Sequence, residues 1–191
     1  MSQLESGNHN ELEVLAYAPP QSQFAQPLDY IFAEHFRQRI LCNVLELIAN
    51  GDRPDRRLVA ASIKFLRNDF APHIQDEEQD LFPLLRRRAE PEDRVDQLIS
   101  QLSEEHAADK LDVQDIVNGL QALLRRTVSV QSSFARLLRR FVANERHHLT
   151  VENAIILPLA RLRLTHDDLL TLGHRMAERR GETFPETANA V

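Results

Sequence analysis

Histidine and carboxylate residues occur on the core-facing side of several predicted helices, where apolar residues are expected. In four segments, apolar residues recur at alternating spacings of three and four, which is the pattern of one helix face and is called a stripe here. The histidines and carboxylates occupy positions of these stripes near the middle of each helix. They are His35 and Gln38, His73 and Glu77, His106 and Asp109, and finally Glu145, His148 and Glu152. Buried imidazoles and carboxylates cost on the order of several kcal/mol unless they are paired or ligated. A metal centre shared by four helices explains why all of them bring such groups inward.

The spacing of histidine and glutamate suits a metal ligand pair. Residues four apart lie one above the other on a helix face, with about 6 Å of rise between them. Two such pairs fall on core stripes, His73 with Glu77 and His148 with Glu152, so together they could surround two cations. The spacing alone proves little, because two more pairs occur near the chain ends, where solvated residues are expected: His9 with Glu13 and His174 with Glu178.

The phase of each stripe separates inward residues from outward ones. His148 is in phase with Phe141, whereas His147 lies about 100° away, so His148 is the predicted ligand. We expect apolar neighbours to restrict water around the centre; they are Phe32, Phe70, Leu102, Phe141 and Ile155.

Four further carboxylates lie close to the predicted ligands. Glu78 and Glu105 are out of phase, so they are expected to be solvated or to contact the ligands from outside. Asp109 and Glu145 are in phase and are candidates for extra ligands or outer partners. Gln38 is expected to form a hydrogen bond within the bundle, and Cys42 to pack as a small buried apolar residue.

Composition excludes several classes of protein. The 191 residues are 42% hydrophobic, enough for the core of one domain, and 29 acidic against 23 basic residues give a net charge of -6. This balance argues against a general nucleic-acid binder. A single cysteine excludes an internal disulfide framework and cysteine-rich metal sites. No apolar run approaches the length of a membrane span, and the first residues are polar, so we expect a cytoplasmic protein without a membrane partner.

The stripes predict an all-α fold. We expect an antiparallel up-down four-helix bundle over residues 27–181 that includes a short fifth helix, which opens with a capping box at Thr165 to Asp168. Residues 1–26 lack sustained periodicity and are expected to form a flexible N-terminal arm, and residues 182–191 a polar tail. Pro72 and Pro83 predict a kink or short break in the second helix.

Two stretches around the histidine and glutamate pairs carry a family resemblance. They are HIQDEEQDLFPLL at residues 73–85 and HHLTVENAIILPLAR at residues 147–161. Together with His35 and His106, they resemble the hemerythrin family in its bacterial HHE cation-binding form, over about residues 28–181.

This resemblance implies a non-haem di-iron centre inside a four-helix bundle. By the family pattern Glu77 and Glu152 bridge the two irons; one iron is then ligated by His35 and His73, and the other by His106 and His148. An oxo or hydroxo group can complete the bridge, and O2, nitric oxide or peroxide would bind at an open position. Manganese and zinc remain alternatives to iron, because all three accept mixed imidazole and carboxylate ligands.

The chain departs from the pattern of oxygen-carrying hemerythrins at one position. Those carriers have a further histidine four residues after the one that matches His106, where this chain has Lys110. An ammonium group cannot ligate a metal, so water or a carboxylate such as Glu145 or Asp109 fills that position, or it stays vacant. We therefore expect a protein that binds or senses small molecules. A di-iron peroxidase or oxidase, a metal-dependent regulatory module and a purely structural bundle with a buried polar network remain alternatives.

Overall fold

The computed structural model describes residues 3–51, 54–125 and 129–185, with side chains from residue 10 onward. Within those ranges the regular structure is helical throughout, which confirms the all-α prediction. The α-helices are α1 (Gln3–Ala16), α2 (Pro27–Asn50), α3 (Arg56–Asn68), α4 (Phe70–Asp76), α5 (Phe82–Arg88), α6 (Val95–Arg125), α7 (Ser132–Val151), α8 (Leu157–Arg163) and α9 (His166–Arg179). None of these helices combines the length and apolar character needed to cross a membrane.

Four helical rods pack against one another: α2, then α3 to α5, then α6, and finally α7 with α8. Local sequence explains their ends. Pro27 opens α2, where its missing N–H costs nothing, and the Asp55 side chain caps α3 by accepting a hydrogen bond from the Arg57 N–H. The second rod is interrupted at Asp69, three residues before Pro72, in keeping with the break predicted there.

The second and fourth rods each contain a π-helical turn, Glu77–Leu81 and Glu152–Ile156. Each turn begins at a predicted glutamate ligand, whose carbonyl accepts from the N–H five residues later. A proline follows six residues after each glutamate, at Pro83 and Pro158. A proline ring clashes with the carbonyl four residues earlier, and the wider π turn relieves that clash.

The π turn of the fourth rod shifts the phase of the residues that follow it. Ile155, predicted to face the core, is 48% exposed, and its neighbour Ile156 is fully buried. The prediction for Ile155 was therefore wrong, because an extra residue in the turn rotates the chain by about 100°. Phe32 is also half exposed, so neither residue shields the centre; Phe70, Leu102 and Phe141 are buried as expected.

The hydrophobic core is divided in two by a layer of buried polar residues. The first core contains Leu41, Cys42, Leu45, Leu66, Leu120 and Leu138. The second core contains Ile31, Phe82, Leu85, Ile99, Leu102 and Ile156. The predicted histidines and glutamates lie between them, so apolar packing on both sides keeps bulk water away from the layer.

The N-terminal segment differs from the expected arm. Helix α1 packs on α2 and α3, and Leu15 is buried in the first core. A 3-10 turn at Gln21–Ala25 buries Phe24 in the second core. Single apolar residues anchor this segment, and such isolated anchors produce no periodic pattern. Residues 1, 2 and 186–191, parts of the predicted arm and tail, lie outside the described residues.

Helix α9 opens with the predicted capping box, in which the Thr165 hydroxyl accepts from the Asp168 N–H while the Asp168 carboxylate accepts from the Thr165 N–H. The helix packs closely on the 3-10 turn. A Cβ atom at Gly173 would lie 2.1 Å from the Phe24 carbonyl oxygen, so only glycine allows this approach.

Candidate metal centre

The six predicted ligands converge in the polar layer and form two groups that share both glutamates. In each group the potential ligand atoms lie within 4.8 Å of one another. The first half of the centre, as we name it, comprises His35 and His73 with the two glutamates, and the second half comprises His106 and His148 with the same glutamates, Glu77 and Glu152. All six residues are buried.

Each glutamate directs one oxygen towards each half. Glu77 Oε1 lies 3.5 Å from the Nε2 atoms of both His35 and His73, and its Oε2 lies 3.3 Å from His106 Nε2. Glu152 Oε2 lies 3.4 Å from His35 Nε2, and its Oε1 lies 3.2 Å from His148 Nε2. A carboxylate whose two oxygens face different histidine pairs is positioned to bridge two cations.

The opposite nitrogen of every histidine is held by an oxygen acceptor. The Nδ1–H groups donate as follows: His35 to Asn153 at 3.0 Å, His73 to Glu34 at 3.0 Å, His106 to Glu78 at 2.6 Å, and His148 to Glu105 at 2.8 Å. These bonds fix both the ring orientation and the tautomer. They leave each Nε2 atom directed at the glutamates, which is the orientation that metal-binding histidines require.

Several of the converging atoms lack a hydrogen-bond partner although they are buried. They are Nε2 of His35 and His148 and all four carboxylate oxygens of Glu77 and Glu152. Separations of 3.2–3.5 Å between these nitrogens and oxygens are longer than charge-assisted hydrogen bonds. Each unpaired buried group costs about 1–3 kcal/mol, and a cation between them would satisfy several at once. The donor set therefore fits a metal centre.

The electrostatics of the layer favour positive charge. Burial lowers the pKa of His73, but Glu77 and Glu34 outweigh it and raise that pKa to about 10. By the same balance, the pKa of His106 rises to about 9 through Glu77 and Glu78, and that of His148 to about 11 through Glu152. Despite burial, the surrounding histidines hold the pKa of Glu77 well below its usual value. Cations entering the layer must therefore displace protons from the imidazoles.

A surface cavity borders the second half at His148. This cavity of about 290 Å³ is lined by Glu105, Ala108, Asp109, Asn144, His147 and His148. Lys110, at the position of the absent fifth histidine, is exposed. Asp109 and Glu145 lie buried near this half, and burial raises their pKa values to about 6 and about 7. Neither belongs to the two groups of converging ligand atoms.

The outward-facing residues behave as the stripes indicate. His147 and His174 are exposed, and the ring of His174 stacks on Phe184 at 3.8 Å. The side chain of His9 lies outside the described residues.

Two of the four histidine acceptors were missed by the sequence analysis. Glu78 and Glu105 were recognised as possible outside contacts of the ligands, but Glu34 and Asn153 were not. Glu34 immediately precedes His35 yet holds His73 on another rod, and Asn153 immediately follows Glu152 yet holds His35. Their adjacency to predicted ligands was the available clue, because periodicity within one helix says nothing about contacts between rods.

Comparison with known proteins gives one family. The search of curated proteins found no match. The family model described as hemerythrin HHE cation binding domain matches residues 26–160, which include all six converging ligands. The resemblance noted in the sequence is thereby confirmed, and the chain belongs to the hemerythrin HHE cation-binding domain family.

Proposed function

We propose that the protein holds two iron ions in the polar layer and binds or senses O2, nitric oxide or peroxide there. The observation that carries this proposal is the division of each buried glutamate between two histidine pairs, with all four carboxylate oxygens unpaired. The proposed ligands are His35, His73, Glu77, His106, His148 and Glu152. Iron is favoured over manganese or zinc by the family, and the mixed imidazole and carboxylate set suits it.

When bound, the two ions would supply electrons and an open coordination position. The residues of the chain would provide orientation and access. Hydrogen bonds at Nδ1 aim each imidazole, and the two cores exclude water. The cavity beside His148 offers a small molecule a route to the second half.

We also propose that the rods form the predicted antiparallel up-down bundle. Along the chain, successive rods pass between the two cores in alternating directions: from Ile31 to Leu45, from Leu66 to Phe82, from Ile99 to Leu120, and from Leu138 to Ile156. We assign the metal-binding domain to residues 27–181 and place the protein in the cytoplasm, where its single buried cysteine would stay reduced.

Metal analysis with an absorption spectrum tests the proposed function. Protein reconstituted with Fe(II) without air should hold about two ions per chain and develop near-ultraviolet absorption bands on exposure to air. The metal-loaded form should also melt at a higher temperature, because binding to the folded state stabilises it. Protein that stays metal-free and colourless, with an unchanged melting temperature, would rule the proposal out.

A peroxidase or oxidase is the second candidate. It is favoured by the cavity at the second half, which Asp109 lines, and by the buried carboxyl of Glu145 near His148, where no fifth imidazole is present. Rapid mixing with peroxide separates the two functions. An enzyme consumes many equivalents of peroxide per chain, whereas a binding or sensing protein reacts with about one equivalent per centre.

A further inference from the structure

A buried ion-pair network connects the C-terminal end of α9 to the first half of the centre. Arg180 Nη2 donates to Glu34 at 3.0 and 3.3 Å, and Glu34 Oε2 accepts from His73 Nδ1 at 3.0 Å. Arg180 lies beyond residue 160, where the family match ends. Building on the proposed function, we propose that Arg180 is a positioning residue that holds Glu34 against His73 and so determines how tightly the first half binds its cation.

The guanidinium is fixed from several directions. It lies 2.7 Å from Asp76 Oδ2 and donates to the Met176 carbonyl at 3.1 Å. Its carbon lies 5.0 Å from the centre of the Tyr30 ring. The side chains of Glu34 and Arg180 are only 3% and 13% exposed, so solvent screens their attraction weakly. Glu34 therefore has one well-defined orientation, and the His73 ring follows it.

The neighbouring arginine reinforces the network. Arg179 also contacts Asp76, and its Nη2 lies 2.7 Å from Asp80 Oδ2. Arg175 also pairs with Asp80, so three arginines face three buried carboxylates, those of Glu34, Asp76 and Asp80. With Asp76 engaged by Arg179 as well, Arg180 can bind Glu34 without leaving another buried charge unpaired.

Acceptors of the other three histidines are held differently. Asn153 is neutral, Glu78 accepts from the Ser103 hydroxyl at 3.0 Å, and Glu105 accepts from the Gln101 amide at 2.9 Å. Of these four hydrogen-bond acceptors, Glu34 is the one that forms an ion pair with an arginine or lysine of the described residues. Removing the Arg180 charge should therefore affect the first half selectively. A general loss of structure would affect both halves.

Cobalt titration of the metal-free protein, with all 191 residues present, tests the proposal. Absorption and bound-metal analysis are expected to report two Co2+ ions in the wild type. Arg180→Gln should lower the affinity for one of these ions by roughly three- to tenfold, and Glu34→Gln should lower it by about tenfold or more. Arg180→Lys keeps the charge and should restore part of the loss. Arg163→Gln is the matched control, because the Arg163 side chain is 21% exposed and also pairs with two carboxylates, those of Asp93 and Glu90, which hold none of the four histidines.

Double variants identify which ion is affected. His73→Ala removes the imidazole through which Arg180 acts, so adding Arg180→Gln to it should change neither affinity further. His148→Ala leaves the first half as the stronger site, and adding Arg180→Gln should lower the affinity for the ion that remains there. Circular dichroism of each metal-free variant establishes that it is folded.

The proposal is overturned if Arg180→Gln leaves both affinities unchanged, weakens both equally, or acts no differently from Arg163→Gln. A wild type that binds two ions while Arg180→Gln has no effect rejects this proposal alone. A wild type that binds no metal rejects the proposed function as well.

Discussion

The two halves of the centre have the same donors but different surroundings. In the first half, the acceptor Glu34 is buried and paired with Arg180, and the acceptor Asn153 is neutral and partly buried. In the second half, the acceptors Glu78 and Glu105 are 27% and 31% exposed, and a cavity reaches His148. We therefore expect the first half to retain a cation more tightly, and the second half to exchange ligands with solvent more readily.

The largest expected effect comes from removing a group that serves both halves. Glu152→Ala should lower the bound metal from about two ions per chain to none, because each Glu152 oxygen faces a different half. Metal analysis after anaerobic reconstitution with iron measures this loss. His174→Ala, which changes an exposed histidine, should keep both ions. Retention of one tightly bound ion by Glu152→Ala would show that this carboxylate does not bridge.

A chelator should remove metal from the two halves at different rates. We expect two phases of metal release whose rates differ by about tenfold or more, with the second half emptied first through its cavity. Ala108→Leu narrows the cavity mouth and should slow the fast phase only. A single phase for both ions would contradict the difference in access, as would equal slowing of both phases.

Stability against pH should differ between the metal-free and metal-loaded forms. The folded-state pKa values of His73, His106 and His148 lie near 10, 9 and 11, above an unfolded value of 6.5. Their contribution to stability is therefore complete below pH 6.5 and is lost as the pH rises through 9 to 11. Metal-free protein should melt about 5 °C or more lower at pH 10 than at pH 7.

The metal-loaded form provides the control for this pH dependence. Its imidazoles have exchanged their protons for cations, so its melting temperature should change less over the same range. Metal affinity should rise with pH for the same reason. Equal pH dependence of the two forms would show that the histidines do not exchange protons for metal.

The smallest expected effect on metal binding and stability comes from a substitution in the first turn of α9, at the opposite end from Arg180. Asp168 caps that helix and accepts hydrogen bonds from Arg87 and Arg88 at 2.7 Å, away from both halves. Asp168→Asn should lower the free energy of unfolding by about 1 kcal/mol, which would be measured as a drop of about 2–4 °C in melting temperature. Both metal affinities should stay unchanged. A selective loss of the first-half ion would mean that the position of α9 as a whole, and not Arg180 in particular, controls that half.

Helical periodicity predicts much of the fold and which polar side chains face inward. His35, His73, His106 and His148 each lie on a stripe, and the structure brings them together in one layer. Periodicity fails where the backbone leaves the α-helical repeat. After Glu152 the π turn adds a residue, so Ile156 takes the buried place predicted for Ile155.

The surroundings of the ligands could not be predicted in the same way. Glu34 and Arg180 meet across more than a hundred residues of sequence, and a contact between rods produces no repeat within either helix. The ordered N-terminal segment was missed because it is anchored by a few apolar residues such as Leu15 and Phe24. The repeated proline six residues after Glu77 and Glu152 was the one local clue to the π turns.

Anomalous diffraction at the iron absorption edge, from crystals of protein reconstituted without air, tests the central claim most directly. We predict two anomalous peaks between Glu77 and Glu152, one about 2 Å from Nε2 of His35 and His73, the other equally close to Nε2 of His106 and His148. Peaks outside the polar layer, or an empty layer in fully reconstituted crystals, would contradict it.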